Sequence, residues 1–311
     1  MNERQRCRAP LRDVDGIVLL DKPSGISSNA ALQRVKRAFR ATKAGHTGSL
    51  DGLATGLLPI CLGEATKVCA FLLDSDKRYA AELQLGVVTD SGDSEGEVIR
   101  RTTTFAIDRA TAERAVAAFR GEIQQVPPMF SALKRHGIRL YELARQGIEV
   151  EREPRNVVIR RLEITYLVGN KMGIEVSCSK GTYIRTLAED IGEKLGCGAH
   201  VSSLRRLDAG PYSVTNAKTL EEIQFLADAT DPSADLDCLL LPMDTALLHL
   251  PDLHLNEELA FHVALGQAVS MADAPSAGLV RLYRCERQFF GIGVVLDDGR
   301  IAPRRLLRQS T

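Results

Sequence analysis

Gly45-His46-Thr47-Gly48-Ser49-Leu50-Asp51-Gly52-Leu53-Ala54-Thr55-Gly56 is the stretch around which the chain is organised. Four glycines within twelve residues let the backbone turn where a Cβ would forbid it, or approach a ligand closely. One carboxylate, Asp51, stands between Leu50 and Leu53, with Leu57 and Leu58 following. Glycine interleaved with leucine reads as an ordered loop packed on a core. An acid held there loses hydration unless a cation or hydrogen-bond donors meet it, which makes Asp51 a candidate for chemistry. The plainer alternative is an Asx-type turn, because Asp-Gly is common turn chemistry.

On the N-terminal side, the apolar run 16–20 reads as a buried strand ending in the turn Asp21-Lys22-Pro23-Ser24-Gly25. Ser27 or Ser28 then caps a helix with Leu32, Val35 and Phe39 on one face and Arg34, Lys36, Arg37 and Arg40 on the other. On the C-terminal side come the run 57–62, a helix over 65–73 and a strand alternating over 77–85. The acidic, glycine-bearing loop 90–97 lacks the spacing of a calcium loop. A helix over 109–120 and an extended segment over 126–134 follow, then a helix over 138–146 that stops at Gly147. Two β-rich runs, 157–168 and 174–178, form a hairpin through Gly169-Asn170. The clearest helix spans 182–195, with Ile184, Leu187, Ala188, Ile191 and Leu195 on one face and Thr182 as its expected cap. After an apolar-polar run over 201–207 and a short helix over 219–227, residues 228–237 read as a linker. Strands over 279–283, 289–296 and 301–307, with a turn at Asp298-Gly299, close the chain as a small β domain.

The 311 residues suffice for two domains, and 44% hydrophobic with 26% charged content is ordinary for a globular protein. No apolar run reaches the roughly 18 residues that span a bilayer, and the start of the chain lacks the apolar segment of a signal peptide. Seven scattered cysteines, none spaced as CxxC, point to free thiols in a reducing cytoplasm and away from structural zinc. Forty Lys/Arg balance forty Asp/Glu, but unevenly. Residues 1–45 hold ten basic against four acidic side chains, 134–161 eight against four, and 228–311 seven against twelve. Such asymmetry presents a basic face to phosphates, or is ordinary clustering on a solvated surface.

A second constellation is Cys178-Ser179-Lys180-Gly181-Thr182-Tyr183-Ile184-Arg185. Arg185 falls in the first turn of the clearest helix, where the helix dipole disfavours a cation by about 0.3–1 kcal/mol. Its partner is either Glu189, four residues on, or a buried carboxylate such as Asp51.

Gly45 through Gly56, Lys77-Arg78-Tyr79 and Ser179 through Arg185 resemble, in order, the diagnostic motifs of the TruB family of tRNA pseudouridine synthases. So do Asp21 through Gly25, the segment Pro127-Pro128-Met129-Phe130-Ser131-Ala132-Leu133-Lys134, and Gly196-Cys197-Gly198-Ala199-His200. One departure is Gly52, where the family usually has proline. The resemblance implies an α+β fold: a mixed, mainly antiparallel sheet with flanking helices, and a small C-terminal PUA-like β domain. It divides the chain into a disordered tail over 1–12, a catalytic domain over 13–240 and the C-terminal domain over 245–311. It implies isomerisation of the T-loop uridine at position 55 of tRNA, with no metal or other cofactor; with no membrane segment and no protein partner evident, a cytoplasmic monomer is expected. Asp51 is then the catalytic carboxylate, Arg185 its orienting partner that keeps it ionised, and Tyr79 the ring that stacks on the target base. Tyr183 and Leu204 line the pocket, and His46 holds the rearranged RNA loop. Lys22, Lys67 and Lys134 match basic positions expected to contact phosphate. A non-catalytic tRNA-remodelling chaperone is the alternative, and a nucleoside hydrolase a further one; the set Asp51, Tyr79 and Arg185 argues against a pure binder.

Overall fold

A computed structural model describes residues 10–135, 137–229, 232–284 and 288–308. The first nine residues of the expected tail lie outside this range. The main sheet runs in the order Lys218–Thr219, Gly16–Lys22, Thr55–Leu62, Ala199–Ala209, Lys77–Leu85, Lys171–Cys178, Arg155–Val168 and Gly121–Gln125. Ala44–His46 and Tyr212–Ser213 are attached at its side. Its pairings are antiparallel except Gly16–Lys22 with Lys218–Thr219, and Thr55–Leu62 with Ala199–Ala209.

The apolar runs of the first strands are continuous because both faces of the sheet are covered. Val18, Leu20, Leu58, Ile60 and Leu62 enter one core, packed by the helices Ser28–Ala38, Ile184–Lys194 and Leu220–Ala227. Ile17, Leu19, Leu57 and Cys61 enter a second core. There they meet Ala65, Val68 and Leu72 of the segment that follows, and Ile292 of the C-terminal sheet. Lys77–Leu85 alternates as expected, with Ala81, Leu83 and Leu85 buried. The hairpin Arg155–Val168/Lys171–Cys178 turns through Gly169 at a φ of +58°.

The second sheet has the order Asp252–Leu255, Gly278–Arg284, Gln288–Val295, Ile301–Leu306, with its own core and the helix Glu257–Ala264. It is tied to the first unit where Lys67 Nζ donates to Leu306 O and the Arg308 amide donates to Glu64.

Several elements differ from the sequence expectation. Residues 228–237 are no linker: they include the helix Pro232–Asp237, whose Leu236 belongs to the main core. The helix expected over 138–146 is confined to Leu140–Ala144, because Ile138–Arg139 pairs instead with Lys134–Arg135. The helix expected over 65–73 divides into a 3₁₀ turn, Gly63–Lys67, and a short α-helix, Cys69–Leu73. Lys77 Nζ closes the C-terminal end of the latter by donating to the carbonyls of Leu72, Leu73 and Ser75. Thr182 does not cap its helix; its hydroxyl donates to Ser179 O, and the N-cap is Tyr183 without a side-chain bond. The strand Gly121–Gln125 escaped notice because Gln and Glu dominate it and it pairs at the sheet's edge.

Ser27 caps the helix Ser28–Ala38, its hydroxyl accepting from the Ala30 amide. That helix ends with the Ala41 amide donating to Lys36 O and with Arg40 at a φ of +52°, the left-handed position that glycine usually takes. Gly56 is required for a different reason: at a φ of +99° its ideal Cβ would lie 2.3 Å from Arg206 O on the neighbouring strand. Gly56→Ala is therefore expected to destabilise the protein by about 3 kcal/mol, lowering Tm by about 6–12 °C in a thermal melt.

Candidate active site

The glycine loop is held at both ends and in its middle. Ala44–His46 pairs with Thr55–Leu62, and the Thr47 amide donates to Pro59 O. The buried Ser28 hydroxyl accepts from the Leu50 amide at 2.7 Å and donates to Leu50 O at 3.0 Å. The turn after the first strand adds two more bonds, Gly25 N–H to Gly52 O and Ser24 Oγ to Leu53 O. Leu50 and Ala54 are buried in the main core, so the loop is packed as its leucines implied. The Asp-Gly turn exists too: the Ala54 amide donates to Asp51 O. That turn uses the Asp51 backbone and leaves its carboxylate for other contacts.

The carboxylate meets Arg185. Nε lies 3.0 Å from Asp51 Oδ2, so the distant alternative is the partner; with Glu189 it makes no ion pair among the described residues. The other guanidinium nitrogens donate to Ser91 O at 2.8 Å and Phe130 O at 2.7 Å. Asp93 stands 3.7 Å away on the far side, itself accepting from Ser91 Oγ and the Glu95 amide. Arg185 is only 5% exposed, and these carbonyls and carboxylates answer both its desolvation and the unfavourable helix dipole. Asp51 keeps 45% of its side-chain surface open, yet protein crowding raises its pKa above the usual carboxylate range. Arg185 and Lys22 pull it down while Asp93 pushes it up. The guanidinium thus offsets desolvation without reversing it, a weaker effect than the sequence reading assigned to it.

Of the other expected residues, Tyr79 and Tyr183 lie within reach of the Asp51 charge. Tyr79 and Tyr183 are partly buried, and both phenols are raised, first by burial and in part by the Asp51 charge. Tyr183 is fixed by Gln125, whose side chain bonds both its amide and its carbonyl. Leu204, 8% exposed, faces the main core from the strand that also carries Arg206. His46 is held below its ordinary pKa, chiefly by burial and then by Arg206, and its Nδ1 is buried without a partner.

Two of the three lysines are engaged within the protein. Lys22 is fully buried; its ammonium donates to Pro23 O and Ile26 O, which shapes the turn that braces the loop. Desolvation lowers its pKa to about 8 against the pull of Asp51. Burial, and not phosphate, explains its position. Lys67 is engaged by Glu64 and Leu306 at the boundary with the second sheet. Lys134 stands exposed on the small hairpin that follows the 126–133 segment.

Two residues central to the geometry were missed. Arg206, 1% exposed and paired in register with Tyr79, donates to Leu57 O at 2.6 Å and Gly48 O at 3.1 Å. The signal was available, since it stands two residues after Leu204, on the inward side of an alternating strand. Asp93 carried no signal, because its loop reads as polar and solvated until the fold places it beside Arg185.

Comparison with known proteins follows the same lines. The model of the TruB family pseudouridylate synthase N-terminal domain matches residues 36–184. Those of the tRNA pseudouridylate synthase B C-terminal domain and the pseudouridine synthase II TruB C-terminal region match 185–248 and 251–307. The chain is 55% identical over 296 residues to the tRNA pseudouridine synthase B of Nitrosococcus oceani, covering 95% of this chain and 96% of that protein. It is 52% identical over 305 residues to the Yersinia pestis protein of the same name, covering 96% and 94%. Among solved structures, a chain of a Cbf5–Nop10–Gar1 complex shares its fold with a TM-score of 0.72 at 24% identity, covering 94% of this chain and 84% of that one.

Glu189 lies close to Gly92 behind Arg185, and burial together with Asp190 raises its pKa to about 7. A carboxyl that holds its proton more tightly when folded loses stability as pH rises from about 4.5 to 7. Glu189→Gln should therefore stabilise the protein at pH 8 by about 2 kcal/mol, and by nothing below pH ~4.5, in melts at both values.

Proposed function

The chain belongs to the TruB family of pseudouridylate synthases, and from that premise we propose that Asp51 is the carboxylate through which it acts, on the T-loop uridine at position 55. The activity is isomerisation of a tRNA uridine to pseudouridine. The bond from N1 to ribose C1′ breaks, the uracil turns, and C5 bonds to the same carbon. C5 gives up its proton and N1 gains one, so mass and oxidation state are unchanged and no co-reactant enters the balance. Positive charge develops at C1′ as the first bond breaks, and a fixed carboxylate stabilises or captures it.

The observation that carries this reading is the Asp51–Arg185 contact, with a carboxylate 45% open and a guanidinium 5% open. Arg185 positions Asp51: its remaining nitrogens are committed to Ser91, Phe130 and Asp93, so it cannot swing away. Tyr79 supplies the face on which an everted uracil stacks, and Tyr183 and Leu204 close the pocket around it. Eversion of the base costs a few kcal/mol, which stacking worth about 1–3 kcal/mol helps to offset. His46 meets the RNA loop, once the base has left it, through its ring face or Nε2, because its unpartnered Nδ1 is buried. We place the reaction on the T-arm, performed by a monomer in the cytoplasm, with the C-terminal β unit as an RNA-binding module of PUA type.

Asp51→Asn should reduce pseudouridine formation by about 10⁴-fold or more while tRNA binding persists, by single-turnover assay beside filter binding. Turnover near wild type would remove Asp51 from the chemistry. Arg185→Lys should lower kcat at least about 10²-fold with little change in KM, because a point charge cannot serve Asp51 and two carbonyls at once.

A further inference from the structure

The helix Ser28–Ala38 begins at the catalytic loop, where Ser28 grips Leu50, and runs away from it. At 1.5 Å per residue, Arg34 and Arg37 stand about 9 and 14 Å along the axis from that grip. Arg40 continues the row just beyond the helix end. Among the described residues none of these three guanidinium groups is paired with a carboxylate, although the structure contains many surface ion pairs. Nor is Arg40 there for backbone reasons, since its φ of +52° belongs to glycine. The row lines a groove of about 890 Å³ whose opposite wall is the helix Leu220–Ala227. From that wall projects Phe225, 78% exposed, the barest large apolar side chain described. Glu221 and Asp228 also border the groove, and Asp228 accepts from Gln224.

We propose that this groove, walled by Arg34, Arg37, Arg40 and Phe225, is a second tRNA contact that engages the part of the substrate outside the T-arm. This rests on the reading that the loop around Asp51 receives the T-arm. A row of guanidinium groups without carboxylate partners, of which Arg37 spends only its Nε on Gln33 O, facing an exposed ring is the combination that tracks a phosphate backbone and stacks a base. The row leads away from the catalytic loop along the helix that Ser28 anchors to it. Glu221 and Asp228 keep the groove from attracting phosphate along its whole length, leaving the arginine side to set the path.

The test compares a full-length unmodified tRNA transcript with its isolated T-arm hairpin, measuring affinity at about 50 and 200 mM salt and pseudouridine formation. Arg34→Gln combined with Arg37→Gln should weaken the full transcript at least about tenfold and lower its salt slope by about 1.4–1.8, for two phosphate contacts. The hairpin's affinity and conversion should stay within about twofold. Phe225→Ala should weaken the transcript about fivefold or more, again sparing the hairpin. Arg40→Gly should raise Tm while weakening the transcript, opposite signs that a purely structural role would not produce. Unchanged transcript affinity in the double variant, or equal losses on both RNAs, would overturn the proposal. A wild-type protein that converts the transcript and not the hairpin would defeat the T-arm reading beneath it.

Discussion

Arg185 is a cation withdrawn from water, and the site is organised by what that withdrawal demands. A buried guanidinium left unmet is strongly unfavourable, by several kcal/mol per ion even after relaxation. Here its donors and charge are met by Asp51, Asp93, Ser91 O and Phe130 O. Those groups come from the glycine loop, the acidic loop after Lys77–Leu85 and the 126–133 segment, and the arginine itself comes from the helix Ile184–Lys194. Segments that share no sheet register are thereby drawn to one point. The carboxylate is fixed not by its own loop but by a partner 134 residues away in sequence.

A second buried arginine does comparable work from beneath. Arg206 lies on a strand that joins the two halves of the sheet, parallel to Thr55–Leu62 and antiparallel to Lys77–Leu85. Its side chain reaches back to Leu57 O and Gly48 O, fixing where the glycine loop enters the sheet. The close approach this needs explains Gly56, and the register that sets Arg206 opposite Tyr79 sets that ring beside the loop. The same cation holds His46 and Lys22 below their usual pKa values, in each case behind burial as the main cause.

Much of this was legible in the sequence where local rules and tertiary packing agree. The strand of Lys77–Leu85, the helix carrying Arg185, the hairpin through Gly169 and the capped helix Leu220–Ala227 all follow from period and turn chemistry. The loop around Asp51 stood out because glycine and leucine alternate there. What was not legible depends on contacts between distant segments. Residues 228–237 have a linker's composition but bury Leu236, and Gly121–Gln125 becomes a strand only because Arg155–Val168 offers it an edge. Lys22 reads as a surface cation, and only the fold reveals that its ammonium is turned onto two carbonyls.

That last case separates the protein's positive charges into two kinds that a charge count merges. Lys22, Lys77, Arg185 and Arg206 are buried, and each donates to at least two backbone carbonyls. A carbonyl is a neutral acceptor shielded with its buried donor from the solvent, so these contacts survive changes in salt that would dissolve a surface pair. They hold the loops, and a phosphate that competed for them would first have to unpack the core. Charges free to meet RNA must then be those that the fold leaves without such partners. Net neutrality follows from adding both kinds to the acids of the C-terminal unit, and it says nothing about the field over the face where substrate arrives. A neutral protein can thus bind a polyanion strongly, provided its cations are divided between scaffold and surface in this way.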